Sequence, residues 1–409
     1  VFRTPCLRLT ATACILLPAA LAVAPAPALA TGARLAALGG GDFLEDDHNV
    51  GRWYGSLGDY PNQITFDTGH FTLPEGWHDV RGGRVSGPGL AVHLALDPTG
   101  RWGTVGFLLN DQGDDTDPGS LNRDRQGDTW TALWSRRFGP MQPTLMVRHG
   151  TDAGGTPVGS GVNPAVLKWD RARTEFGLGA RWDLAAGAYL DLAGEVRRHR
   201  EQTSAADSVL SVTGAELAST ASYGLRARAF VQLGPTFALV PGVEYVREDR
   251  PLPSASPIDQ LSLDGNLVKV GTGLNWYPDP DHFLVVAVDH LHGDADHLRS
   301  LPGAAPALEY ARQWDSLSLT AGFETRFNFW LTFRGSFRYE PVSRQDTSAT
   351  AEADFATFMV NLGATVALAE YTLDVSLTDQ EPRSVTGYHG HSLFGNPGTW
   401  LSLSLRRGF

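Results

Sequence analysis

From about residue 62 to its end the chain repeats one pattern: about ten residues of alternation, a tight turn, ten more, then a long polar stretch. Tyr223, Leu225, Ala227, Ala229, Val231 and Leu233 alternate with Gly224, Arg226, Arg228, Phe230 and Gln232. Leu331, Phe333, Gly335, Phe337 and Tyr339 alternate with Thr332, Arg334, Ser336, Arg338 and Glu340. Phe358, Val360, Leu362, Ala364, Val366 and Leu368 do the same against Thr357, Met359, Asn361, Gly363 and Thr365. Period two is the signature of a strand with one apolar and one polar face. About ten residues is the length a tilted strand needs to cross a bilayer.

The connections alternate as well. Tight turns fall at Asp97-Pro98-Thr99-Gly100, Gly139-Pro140-Met141-Gln142, Ala185-Ala186-Gly187, Gly234-Pro235-Thr236, Pro278-Asp279-Pro280, Asn328 and Ala369-Glu370. Long loops cover 74–88, 112–127, 150–171, 201–220, 248–264, 293–312, 341–354 and 382–398. Seven tight and eight long connections predict sixteen strands, with fourteen the alternative, because the first (62–73) is the least regular. The expected fold is all-β: a transmembrane antiparallel β-barrel with short periplasmic turns and long extracellular loops. A soluble sandwich also uses period two, but seldom keeps hairpins so regular over this length. Aromatic residues near strand ends fit the girdles of a membrane barrel: Trp102, Trp182, Tyr245, Trp276, Tyr277, Trp330, Tyr339, Tyr371 and Trp400.

No uninterrupted apolar run reaches 18 residues, so a helical membrane protein is not expected. Formal charge is 33 − 45 = −12, with acidic residues gathered in loops, which excludes a nucleic-acid binder. Residues 1–30 read as a signal peptide: Arg3 and Arg8, an apolar stretch from Cys14 to Ala24, and an Ala28-Leu29-Ala30 cleavage site. Cleavage would remove both cysteines, Cys6 and Cys14, so no thiol chemistry is expected of the remainder. A lipoprotein is the alternative at Ala11-Thr12-Ala13-Cys14, but that cysteine precedes the apolar stretch instead of following it. The last strand runs Thr399-Trp400-Leu401-Ser402-Leu403-Ser404-Leu405-Arg406-Arg407-Gly408-Phe409. It resembles the C-terminal recognition strand of Gram-negative outer-membrane proteins. That resemblance implies an outer-membrane location and makes Phe409 an assembly signal read by the barrel-assembly machinery.

Residues 31–61 do not alternate. They carry Arg34, Gly39-Gly40, Glu45-Asp46-Asp47 and Trp53-Tyr54, and end in Pro61. This order resembles the mature amino terminus of the long-chain fatty-acid transporter family of barrels. The resemblance implies a segment folded into the lumen as a plug; a periplasmic tail is the alternative. The domain reading is therefore 1–30 signal peptide, 31–61 periplasmic or plug segment, and 62–409 barrel.

Function should lie in the lumen. The polar phase puts Arg181, Glu195, Arg197, Arg226, Arg228, Lys269, Glu324, Arg326, Arg334, Arg338, Glu340, Asp374 and Arg406 on the inner face, with Glu175, Asp183, Asp191 and Glu244. Such charges must pair or line water, because an unpaired buried charge costs several kcal/mol. Arg226, Arg228, Arg334 and Arg338 are the candidate anion-facing cluster; a wet, cross-paired interior without selectivity is the alternative. His290 and His292, flanked by Asp289, Asp294 and Asp296, share a face, as a metal site would require, but exposed His and Asp are commonly only solvated. His389 and His391, and the acidic loop 112–127, read the same way. Ser392 follows His391 on an opposite face, and there is no Gly-x-Ser-x-Gly elbow or nucleotide loop, so no enzyme, cofactor or metal is expected. The expected function is a pore or transporter for a small solute, with lipid and lipopolysaccharide outside. A non-conducting structural barrel that anchors or partners a surface or secretion complex is the alternative.

Overall fold

The computed structural model describes residues 32–39, 42–45, 47–68, 89–110, 129–158, 165–184, 187–206, 211–218, 221–252, 260–300, 307–347, 352–384 and 399–409. The segment 1–30, the loop 112–127 and the pair His389/His391 lie outside these residues. The wall begins with β1 (Gln63–Asp67), β2 (Gly89–Ala95), β3 (Thr104–Asn110), β4 (Thr129–Ser135), β5 (Met141–Val158) and β6 (Ala165–Asp183). It continues with β7 (Tyr189–Ala206), β8 (Ser211–Ala218), β9 (Ser222–Gln232), β10 (Phe237–Leu252) and β11 (Gln260–Asp279). It ends with β12 (His282–Ser300), β13 (Ala307–Asn328), β14 (Leu331–Asp346), β15 (Glu352–Leu368), β16 (Tyr371–Ser384) and β17 (Thr399–Gly408). Neighbours pair antiparallel throughout, and β1 pairs with both β2 and β17, so the sheet closes. β8 and β9 both pair with β7, one above the other, and together make one stave. The result is a closed sixteen-strand antiparallel barrel.

In the described residues the tight turns sit where the sequence places them, and two of them are closed by a local side chain. Asp97 accepts from the backbone N–H groups of Arg101 (2.8 Å) and Trp102 (2.9 Å). Asn328 accepts from those of Trp330 (3.0 Å) and Leu331 (2.9 Å). Gly103, at φ +81, lies so close to the Ser135 carbonyl that no Cβ could fit there.

The first strand spans Gln63–Asp67, and residues 69–73 of the expected 62–73 lie outside the described residues. One reading needs correction. The stretches 150–171, 201–220, 248–264, 293–312 and 341–354 are largely strand: β5 runs on to Val158, β6 starts at Ala165, and β13 begins at Ala307. The cause is a phase inversion. On β12 the outward residues are Val286 and Val288 low down, then His290 and His292 higher up. The inward residues change the other way, from Asp289 to the buried Leu291 and Ala295. Outside the bilayer the outer face meets water, so it becomes polar and the inner face can carry the core. Polar residues there resemble loop composition although the backbone remains extended.

Below the inversion, Leu178, Val243, Val286, Phe323, Phe333 and Leu362 face outward and are exposed. A lower belt of Trp102, Trp182, Trp276, Trp330 and Tyr371 lies near the tight turns, and Tyr223 packs against Tyr245 higher up. Tyr277, expected in the same belt, turns inward instead, in phase with the buried Asn275 and 5.0 Å from the Phe283 ring, because it follows the outward Trp276 by one residue. The Trp400 side chain lies outside the described set.

This orientation makes a specific expectation. Leu178→Arg, in the middle of the apolar band, should lower folding stability by about 2–4 kcal/mol, read from urea unfolding in lipid vesicles. His292→Arg, above the band, should leave stability unchanged; equal losses would mean the membrane boundary has been misplaced.

Candidate functional site

Sixteen strands spaced about 4.8 Å and tilted about 40° enclose a cylinder about 32 Å across, too wide to be filled by its own side chains. The amino-terminal segment occupies that space. It contains α1 (Gly32–Ala37) and the 3-10 turns η1 (Asp47–Gly51) and η2 (Tyr54–Asp59).

The segment follows the inner wall in one circuit, meeting the strands in nearly reverse order. The Ala33 N–H donates to Ser404 Oγ on β17 (3.1 Å). Ala37 lies on Gly363 of β15, and Gly39 on Ser336 of β14 and Thr320 of β13. Leu44 packs with Val285 of β12, and Phe43 covers Gly271 and Gly273 of β11. Arg52 reaches Glu244 of β10 at 2.6 Å, and its carbonyl accepts from Arg226 of β9 (3.2 Å). The Tyr54 hydroxyl donates to Glu195 of β7, while its ring lies over Gly177 and Gly179 of β6. The Gly55 carbonyl accepts from Gln142 of β5 (2.6 Å), and Leu57 packs on Leu133 of β4 and Gly106 of β3. The Tyr60 carbonyl meets the His93 ring of β2 at 3.1 Å, and Gln63 opens β1.

Two kinds of contact hold it. Val50, Tyr54 and Leu57 join Leu133, Met146 and Ala193 in a fully dry cluster. Around this lies an ionic layer. Arg181 contacts Asp191 (2.7 Å), Glu45 (2.6 Å) and Asp59 (2.8 Å). Arg228 contacts Asp191 (3.0 Å) and Glu45 (3.1 Å), and lies over the Trp53 ring. Lys269 contacts Asp42 (2.6 Å) and Asp289 (3.4 Å). Burial pushes the Glu45 carboxyl up, but Arg228 and Arg181 outweigh it and hold the group below its ordinary 4.5. For Asp59 burial prevails over Arg181 and Arg137, and its carboxyl lies above its ordinary 3.8.

The remaining sequence-derived residues are placed as follows. Arg226 meets Glu195 (2.7 Å) and Glu244 (3.6 Å); Arg197 meets Glu195 and Glu248 (2.9 Å). Arg334 bridges Glu324 and Asp374 (2.9 Å), and Arg338 meets Glu340 (3.2 Å) and Asp289 (3.9 Å). Arg406 is buried on the inner face of β17. Arg326 sits at the rim beside Asp281 (3.6 Å), and Phe409 is exposed at the chain end. The four arginines read as one anion-facing cluster do not come together: 226/228 stand on β9 and 334/338 on β14, and each has carboxylate neighbours. His290 and His292 point outward, at 3.6 and 2.8 Å from Asp315. Among the described residues no group of three or more His, Cys, Asp or Glu is arranged to hold a metal ion.

The sequence named no partner for Glu45, and Asp42, Arg52, Asp59 and Tyr189 are further residues of the site that alternation does not reveal. A usable signal was present: glycines at inward positions of otherwise bulky strands (Gly177, Gly179, Gly271, Gly273, Gly363) leave sockets that only a second layer of chain would fill.

No family model matches the chain, and no curated protein matches it in sequence. Similar solved structures include CdiB from Escherichia coli (TM-score 0.48, 8% identity, covering 85% of this chain and 63% of that one). Others are the Pseudomonas putida toluene transporter TodX (0.44, 9%, 93% and 98%) and the Ralstonia pickettii toluene transporter TbuX (0.42, 11%, 91% and 97%). The chain thus spans under two thirds of the CdiB length. The closed ladder, outward apolar band and charged interior define a transmembrane antiparallel β-barrel, and that is the fold class to which this chain belongs.

Two expectations follow from the seat of the segment. A Cβ on Gly55 would stand 2.4 Å from the Arg181 backbone nitrogen, so Gly55→Ala should lift η2 off the wall. Protease should then cut within 47–60 while the barrel keeps its heat-modifiable mobility; an uncut segment would contradict the seat. The Glu45 contribution is full above pH 4.5 and lost as pH falls through its lowered value, whereas protonating Asp59 relieves its burial and works the opposite way. Hydrogen exchange of residues 42–60, corrected for chemical rate, should therefore stay slow from neutral pH to 5 and accelerate below 4.5. In Glu45→Gln it should be fast throughout.

Proposed function

We propose that this barrel is a pore or transporter for small solutes whose lumen is narrowed by residues 32–60 acting as a plug. The observation that carries the reading is the circuit of the inner wall by a segment whose seat includes a layer of buried ion pairs. Buried ion pairs are poor stabilisers, since apolar side chains of similar volume often do as well or better. A lumen filled only for rigidity would have no need of them. A passage that opens to water does, because its wall must tolerate both states. The toluene transporters and CdiB resemble the chain in fold alone, and the reading rests on the lumen and not on them. The runner-up, a silent barrel partnering a surface or secretion complex, predicts a lumen that never conducts. In the same proposal lipid and lipopolysaccharide meet the apolar band, and the strand ending in Phe409 engages the assembly machinery.

In planar bilayers the full chain should give small or intermittent current steps, and removal of residues 32–60 should give large, stable ones. Silence from both, with folded barrels confirmed by mobility, would favour the structural barrel. Removing Phe409 should lower the amount of assembled barrel in the outer membrane without changing the conductance of the molecules that do assemble.

A further inference from the structure

On the outer face, the rim of the apolar band can be followed from strand to strand along the ladder. Trp130 of β4 pairs with His149 of β5, His149 with Thr174 of β6, and Thr174 with Arg198 of β7. These four outward side chains form one unbroken row. In the row below, the same strands carry Ala132, Val147, Phe176 and Val196, of which Phe176 and Val196 are exposed. In the row above, β5 to β7 carry Thr151, Ala172 and Arg200. The change from apolar to polar thus takes a single step on each strand, and Trp130 is the residue type that favours the depth where hydrocarbon meets headgroups.

The polar row is ordered and carries no carboxylate. The rings of Trp130 and His149 lie 6.0 Å apart, and His149 Nδ1 is 3.0 Å from the Thr174 hydroxyl. Arg198 is exposed, with the small Thr174 on one side and, one step past the Arg197–Ser222 pair, the small Ala221 on the other. Arg200 follows two residues higher on the same face and is exposed too. A long cationic side chain placed just above hydrocarbon reaches for anions at headgroup depth. The wall from β11 to β13 is built differently. Its first polar outward residues are Asn266, His290 and Asp315, with Asp264 and His292 beside them. Asp315 lies 2.8 Å from His292, and Asp264 pairs with Arg247 of β10 (2.5 Å). Carboxylates at that depth repel a phosphate, so the two sides of the barrel offer the outer leaflet different chemistry.

We infer that the outer face of β5 to β7 is a docking site for one lipopolysaccharide molecule, with Arg198 and Arg200 on a phosphate of its lipid A. The acyl chains lie along Val147, Phe176, Leu178 and Val196, directly below. The inference rests on the lipopolysaccharide contact proposed above and not on the pore reading. A guanidinium offers a planar fork of N–H groups that matches two phosphate oxygens. A free phosphate would gain only two water-exposed arginines, whereas a lipid also covers the exposed apolar row that continues from them. Thr174 and His149, which complete the row, can both donate and accept, as the hydroxyls of a sugar headgroup do.

Native mass spectrometry of the full chain, folded in detergent and titrated with lipid A, tests this by counting bound lipids. Wild type should retain lipid A, and Arg198→Gln with Arg200→Gln should weaken retention about tenfold or more. Arg198→Lys with Arg200→Lys should restore part of it, because the charge returns without the fork. His292→Gln, on the opposite side, should change nothing. Lipid A stripped of its phosphates should bind wild type and the glutamine variant alike, and excess inorganic phosphate should not displace intact lipid A. Both glutamines sit in water above the band, and heat-modifiable mobility checks that the variant barrel is folded. Equal retention by wild type and the glutamine variant, or an equal loss in His292→Gln, would overturn the site. Phosphatidylglycerol held as tightly as lipid A would overturn the assignment to lipopolysaccharide. No lipid A on wild type, with the barrel folded, would overturn the lipopolysaccharide contact itself and leave the pore reading intact.

Discussion

Hydrocarbon offers no partner to a backbone N–H or C=O, and everything else in this molecule follows from that requirement. An open sheet would leave an edge in lipid, so β1 must pair with β17 as well as β2. Closure at sixteen strands then fixes the diameter, and the diameter leaves a lumen that its own side chains cannot fill. The amino-terminal segment answers a problem set by the ladder. Its length also fits: with α1 rising about 1.5 Å and η1 and η2 about 2 Å per residue and the rest extended, it reaches about 70 Å, enough for one circuit at a radius of about 11 Å inside a cylinder of this size.

The wall and the segment are complementary in two respects. Where the segment presents a ring, the wall presents glycine: Tyr54 over Gly177 and Gly179, Phe43 over Gly271 and Gly273. Where it presents charge, the wall presents the opposite one: Glu45 between Arg181 and Arg228, Asp42 beside Lys269, Arg34 on Glu324. Arg181 and Arg228 each gain Glu45 as a further carboxylate neighbour once the second layer is in place. The charged lining is therefore a docking surface first, and any passage must use what the docked segment leaves.

The fold was legible because period two is strict wherever lipid touches the wall. Tyr223 to Leu233 and Phe358 to Leu368 could not slip by one residue without turning arginine or asparagine toward hydrocarbon. Legibility failed where that constraint ends. Above the bilayer Leu263, Leu267 and Leu291 turn inward and His290, His292 and Asp315 outward, so strand was read as loop. It failed again in the lumen, because pairing there is between positions as distant as Glu45 and Arg228. Alternation gives the face of Arg228 but not its partner. The carboxylates of residues 42–59 sit in a stretch without periodicity, where only tertiary structure assigns them.

The same inversion shows how one strand serves two solvents. On β11 it falls between Val268 and Asn266, on β12 between Val288 and His290, on β13 between Leu317 and Asp315. Counted from the tight turns these positions lie about 20–30 Å up, the height of an apolar band. Below the line a polar interior is permitted because lipid outside supplies the apolar partner, and water or the docked segment fills the middle. Above it water is outside, and the wall can be stable only with apolar residues facing in, as Trp314 and Leu291 do. The inward core around Trp314 and Leu291 is thus a consequence of where the membrane stops, written into the phase of each strand.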